Sequence, residues 1–325
     1  MTIHTPPQCV NSVMAAAPTA TARVVLLDAG SFGGFSSYLN ETWTFTGTDW
    51  TDKSTGTINS NGPLPTRQNA CMCFDGYNTM MFGGQGGSSA AGILDDTWVW
   101  SSNTTWTQYT GPGFALAGPF GRMGAEAAYL TSIGGGGGAV MFGGQNLLSN
   151  LLETWIWDGG LKIWTLLSIA NGSSPNARVG HCFTSNNSTT AVLFGGQGTN
   201  QQFNDTWTFT YSGGVGTWTQ KFPTTVPSVR SNACMAYTGS GGVLVMFGGE
   251  NEYGYLDETW TYTIGTNTWT QVVFANGVGP SGRIGATMAL DATSGNVIMF
   301  GGQTATAGYA VNETWSFNGT VWSQL

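Results

Sequence analysis

Charge is what this sequence has least of. Its 325 residues carry 17 Asp and Glu and 9 Lys and Arg, 8% charged and a net −8, where an ordinary soluble domain has about 25%. Lysine stands only at 53, 162 and 221. No basic cluster could displace the counterions of a nucleic acid, so nucleic acid is not expected as a partner. No apolar run reaches the roughly 18 residues of a membrane-spanning helix, so no membrane insertion is expected. Met1 to Val10 holds no basic segment followed by an apolar core, and no secretory signal is read there. The five cysteines (9, 71, 73, 182, 234) are too few and odd in number for a disulfide scaffold. Histidine occurs only at 4 and 181.

Glycine and aromatics are abundant instead. There are 50 Gly, 14 Trp, 17 Phe and 10 Tyr. So many bulky rings exclude a disordered Gly-rich chain, and glycines without a period of three exclude collagen. Many turns joined to many packing residues favour an all-β class.

The tryptophans are in register. Trp43, Trp98, Trp155, Trp207, Trp260 and Trp315 follow one another at 52 to 57 residues, and Trp50, Trp106, Trp164, Trp218, Trp269 and Trp322 trail them by 7 to 11. Each leading Trp sits in an acid-Thr-Trp segment, the acids being Glu41, Asp96, Glu153, Asp205, Glu258 and Glu313. Phe-Gly-Gly stands upstream of five copies, beginning at Phe82, Phe142, Phe194, Phe247 and Phe300. Six copies at a period near 50 mean one repeat architecture rather than two domains. Within a copy four short strands are separated by Gly, Asn, Ser and Thr turns; in the fifth they are read at 230–237, 243–247, 259–262 and 268–271.

These motifs resemble the kelch-repeat β-propeller family over nearly the whole chain, from about Pro7 to Leu325. The resemblance implies a single six-bladed propeller of four-stranded antiparallel blades, at approximately 8–58, 63–110, 118–167, 174–221, 226–273 and 279–325. Function does not follow, because the family includes oxidases, sugar isomerases, ligand binders and scaffolds. Its oxidases use copper held by paired His and Tyr, which one repeat histidine, His181, cannot assemble. The first copy departs from the pattern. Val10 is read in the place of the Arg that opens the other copies, and Leu27-Asp28-Ala29 in that of Phe-Gly-Gly, with Phe32-Gly33-Gly34 as its displaced equivalent. Each blade is then contiguous, and no strand is shared between the chain ends to latch the ring.

Arg67, Arg122, Arg178, Arg230 and Arg283 all precede the innermost strand, a, so Arg–carboxylate pairs with the six motif acids are expected on one face. Being repeated in every blade, they are read as serving the repeat unit. On strand a the fourth residue from the Arg is assigned to the central channel and the fifth to the packing. This makes Glu126 the candidate catalytic acid/base of an isomerase- or lyase-like carbohydrate enzyme, set against a hydrated channel residue without a partner. Cys71, Cys182 and Cys234 at the same level come from different blades and give no metal motif.

The b–c and d–a connections share the Arg-bearing face and are the longest, including 52–66, 86–95, 146–152, 251–257 and 304–311. In the fifth copy Glu250, Glu252 and Asp257 join Tyr253 and Tyr255 in a candidate binding patch for a protein or glycan. Its oxygens would also suit calcium, although no calcium-loop spacing is present and no cofactor is otherwise expected. Asn-x-Ser/Thr acceptors at Asn40, Asn103, Asn171, Asn186, Asn187, Asn204, Asn312 and Asn318 favour an extracellular or cell-surface setting. The expectation is a binding propeller without enzymatic activity, and low charge with abundant Gly, Thr and Asn also admits self-association into a structural assembly.

Overall fold

A computed structural model describes residues 5–19, 22–28, 40–54, 64–86, 92–101, 105–109, 118–169, 172–274, 277, 279–305 and 309–325. All regular structure among them is β. Six four-stranded antiparallel sheets succeed one another along the chain. Strands a to d run Val13–Thr19, Ala22–Asp28, Glu41–Phe45 and Trp50–Asp52 in blade 1; Cys71–Phe74, Thr79–Phe82, Thr97–Ser101 and Thr105–Tyr109 in blade 2; and Glu126–Leu130, Gly138–Phe142, Thr154–Asp158 and Ile163–Leu166 in blade 3. Blade 4 has Cys182–Ser185, Thr190–Phe194, Thr206–Ser212 and Val215–Lys221; blade 5 Cys234–Tyr237, Val243–Phe247, Thr259–Thr263 and Thr268–Val272; and blade 6 Thr287–Asp291, Asn296–Phe300, Thr314–Phe317 and Trp322–Gln324.

A four-stranded sheet buries both faces only against neighbours, and the repeat residues perform that task. Each trailing Trp reaches into the preceding blade, where its indole N–H donates to the Thr of acid-Thr-Trp. Trp106 binds Thr42, Trp164 Thr97, Trp218 Thr154, Trp269 Thr206, Trp322 Thr259 and Trp50 Thr314, at 2.8–3.0 Å. In five seams its ring rests on the Phe of the preceding Phe-Gly-Gly, as Trp218 does on Phe142 with centroids 5.0 Å apart. A Thr there satisfies a buried indole donor that Val would leave unpaired. Both motif glycines take positive φ. A Cβ on Gly83 would lie 2.6 Å from the Arg122 carbonyl oxygen of the next blade, so only Gly lets the chains approach.

The ring closes without a shared strand. Cross-strand pairing sets Leu27 opposite Thr42, as Phe82 is opposite Thr97, so Leu27 holds the Phe position; Phe32-Gly33-Gly34 lies outside the described residues. The Arg position of blade 1 is held by Cys9, not Val10. The Cys9 amide donates to Val311 and its carbonyl accepts from Gly302, just as Arg283 does with Leu256 and Gly249. Two residues beyond each such position stands a left-handed residue, Asn11, Asn69, Gly124, Gly180, Asn232 or Gly285, with φ between 54° and 63°. Each donates its amide N–H to the carbonyl of the preceding one, and Asn11 donates to Gly285. Six bonds of 2.8–3.2 Å therefore form a closed circuit around the channel mouth. Asn and Gly are the residues that enter this conformation at low cost. Arg23 of blade 1 adds an ion pair of 3.2 Å to the buried Asp291 of blade 6.

Candidate functional site

The Arg-bearing face is built on five nearly identical ion pairs. Arg67, Arg122, Arg178, Arg230 and Arg283 are buried. Each donates through Nη1 to the carbonyl of the first glycine of its Phe-Gly-Gly, at 2.8–3.2 Å. Asp96 and Asp205 engage Arg67 and Arg178 bidentately at 2.6–2.9 Å. Glu153, Glu258 and Glu313 use one oxygen at 2.5–2.6 Å. All six motif acids, Glu41 included, also accept from the indole N–H of their own Trp, at 2.6–3.0 Å. Burial alone would raise Glu153, Glu258 and Glu313, but hydrogen bonds from Trp and Arg and the guanidinium charges outweigh it and hold them below their ordinary range. With their donors taken up inside the blade, these arginines have a structural role.

The fifth-blade patch separates into two parts. Glu250–Asn251 pairs with Gly254–Tyr255 as a small ribbon whose turn carries Glu252 and Tyr253 outward. Tyr253 is 88% exposed, its amide donating to Asn251 Oδ1 at 2.9 Å. A hydrogen bond to Glu252 and its charge raise the Tyr253 hydroxyl. Tyr255 is half-buried, raised by burial and then by Glu250. Glu250 turns inward and accepts from Asn232 Nδ2 at 3.0 Å, bracing a member of the mouth circuit. Asp257 is exposed. Glu250, Glu252 and Asp257 do not converge, and among the described residues no three His, Cys, Asp or Glu form a metal-holding group.

Sequence reading missed a second exposed feature. The b–c connection of blade 3 presents Leu147, Leu148 and Leu152, with Leu148 92% exposed, and Phe120 in the linker before this blade is 74% exposed. Two Leu-Leu pairs inside a turn-rich connection were the available signal. Phe222, Val273 and Tyr309 are further exposed on connections of the same face. Parts of the connections, 55–63, 87–91 and 306–308, lie outside the described residues, as do His4, Asn103 and Asn171. Asn40 and Asn204 donate their amides to the carbonyls of Leu64 and Pro227, fixing the linkers beside them. Asn186 and Asn318 accept backbone amides of their own turns, and Asn187 and Asn312 are exposed.

In the channel the fourth residues Glu126, Cys182, Cys234 and Thr287 line a cavity as expected, but the fifth residues Met72, Ala127, Phe183, Met235 and Met288 line it too, so their assignment to packing alone needs correction. Side chains of strand a alternate between the two flanking seams. Cys71 Sγ lies 3.5 Å from Met141 of blade 3, while Met72 packs with Val25 and Leu27 of blade 1. The innermost strands lie close enough for both sets to be covered. Glu126 is the sole carboxylate among the described residues lining the two channel cavities, and burial pushes it up to about 8. Burial also pushes the Cys71 and Cys234 thiols up to about 12 and raises Cys182, leaving them protonated and inert. No disulfide joins the described cysteines.

Comparison with known proteins adds three facts. Residues 127–325 match a family model described as the KLHDC2/KLHL20/DRC7 Kelch-repeats domain. A curated relative, tRNA wybutosine-synthesizing protein 4 of Emericella nidulans, is 32% identical over 140 residues, 42% of this chain. That match covers 12% of the relative's length.

Proposed function

The chain belongs to the kelch-repeat family, and from that premise we propose that it is a protein-binding module whose partner docks on the face formed by the b–c and d–a connections. One observation carries this reading: large apolar side chains that the blades otherwise bury stand exposed there, led by Leu148 and Tyr253. Solvating such groups is unfavourable, and partner surfaces bury them as anchors. The exposed acids Asp95, Glu252 and Asp257 border the same face and favour a partner with basic residues around an apolar centre. From the relative in Emericella nidulans we carry over no activity on tRNA. Five of the six arginines are buried in ion pairs, which leaves little to meet phosphates. A rigid propeller with variable loops at one mouth is a suitable frame for such recognition.

The test is affinity capture from the native source with wild type, Leu148→Ser and Tyr253→Ala, each with its unfolding midpoint. A specific partner is expected with wild type and lost with at least one variant, at unchanged midpoint. Equal recovery by all three forms would remove this face from consideration. A glycan array run with the same variants separates a sugar partner from a protein one.

A further inference from the structure

Register across the six blades isolates two residues. Three positions beyond the Arg (Cys9 in blade 1) stand Ser12, Ala70, Ala125, His181, Ala233 and Ala286, and four beyond stand Val13, Cys71, Glu126, Cys182, Cys234 and Thr287. Only blades 3 and 4 depart from small or uncharged side chains, and the departures meet. Fourth-position side chains face the following blade, as Cys71 faces Met141 and Cys182 bonds the Ala233 carbonyl. Third-position side chains face the preceding blade, as His181 does with its ring centroid 5.6 Å from that of Phe142. Glu126 and His181 therefore flank the same seam at its inner edge. Both line both channel cavities, which share Ser12, Val13, Ala233 and Ala286 as well.

The pair has no counterpart at these positions of the other blades. His181 is 1% exposed, and neither imidazole nitrogen has a hydrogen-bond partner. A buried polar group in that state is costly and calls for an explanation. No lysine or arginine is among the described residues lining either cavity, so Glu126 faces no cation there. The remaining polar lining on the mouth side is Asn11, Ser12, Asn69, Gln145 and Asn232, rich in carbonyl and hydroxyl acceptors. That cavity has a volume of about 250 Å³, room for a compact molecule of a few heavy atoms.

We propose that the channel at the seam of blades 3 and 4 binds a small primary ammonium, with Glu126 as its counter-ion and an imidazole nitrogen of His181 as a hydrogen-bond acceptor. The donor set complements such a guest: three N–H groups meet a carboxylate, an imidazole nitrogen and amide carbonyls. Burial and the nearby Arg178 guanidinium push His181 down to about 3, which keeps the ring neutral and able to accept. The carboxyl, raised by burial, ionises when a cation arrives to compensate it. The thiols around it, those of Cys71, Cys73, Cys182 and Cys234, are raised by burial and stay uncharged. The repeat bears on the cost: the other five seams fold without such a pair at these positions.

Imidazole C–H signals in an NMR titration with methylammonium chloride at pH 7 test this, because His4 and His181 are the only histidines. A saturable shift of the His181 signals is expected, weakened about tenfold in Glu126→Gln, the loss that follows from removing a charged hydrogen bond. Tetramethylammonium, which has the charge without N–H, and glycerol, which has donors without charge, should leave the signals in place. Glu126→Thr, which restores the blade 6 residue, serves as a second variant with secure folding. Absence of a saturable shift, an equal response to tetramethylammonium or glycerol, or undiminished binding in either variant would overturn the assignment.

Discussion

Arg178 and His181 are three residues apart at the entrance of one blade, and both are buried, yet they belong to different regions of the molecule. Arg178 is part of a layer found in five blades, with Nε, Nη1 and Nη2 all hydrogen-bonded, to the Asn176 and Gly195 carbonyls and to Asp205. His181 belongs to a seam whose inner edge departs from its siblings, and neither of its nitrogens is bonded. The comparison teaches how to sort buried polar residues in a repeat protein. Those that recur are satisfied and hold the blades together, whereas a solitary one without a partner, as His181 is, carries a cost that the repeat does not require.

The largest expected effect breaks the first region. Arg178→Met strands the Asp205 carboxylate and the Gly195 carbonyl, and should lower stability by about 3–5 kcal/mol in chemical denaturation. A loss below about 1 kcal/mol would show that the layer is ornamental to the fold. A smaller effect sharpens the second region. Glu126 is raised to about 8 from an ordinary 4.5, so its contribution is complete at pH below 4.5 and stability declines as pH rises toward 8. His181, lowered to about 3 from 6.5, acts in the opposite sense, and its contribution is lost as pH falls from 6.5 toward 3. Between pH 6.5 and 8 the Glu126 slope stands by itself. Wild type should lose roughly 1–2 kcal/mol across that window and Glu126→Thr nearly none. Parallel pH profiles of the two proteins would contradict the desolvated state of this carboxyl.

Much of the first region was legible in the sequence and little of the second. Trp spacing, Phe-Gly-Gly and acid-Thr-Trp disclose six blades because each motif residue has the same packing duty six times. The Arg–acid pairs followed from their common position. The role of the motif Thr did not, because its partner Trp lies 63 to 67 residues away in five seams and 264 in the closing one. Blade 1 was misplaced by one residue at its Arg position, where a Cys without the guanidinium offers no mark and only backbone pairing fixes the register. Glu126 was found for its charge and its place at the channel, where it lines both cavities, but the seam it shares with His181 was not legible, since alternation in an innermost strand also selects between two seams. His181 was dismissed as a lone histidine, because its significance is its place opposite Glu126. Leu147 and Leu148 were passed over because exposure, which makes them notable, is a property of the folded loop.

The most direct test of the distinction between shared and solitary residues is the unfolding free energy of His181→Ala at pH 7. This variant restores the alanine of four sibling blades, and it removes two unpaired buried nitrogens while giving up ring contacts with Phe142 and Phe183. The account predicts stability within about 1 kcal/mol of wild type or above it. A loss of about 3 kcal/mol or more, equal to that of Arg178→Met, would place His181 among the residues that hold the propeller together and contradict the account.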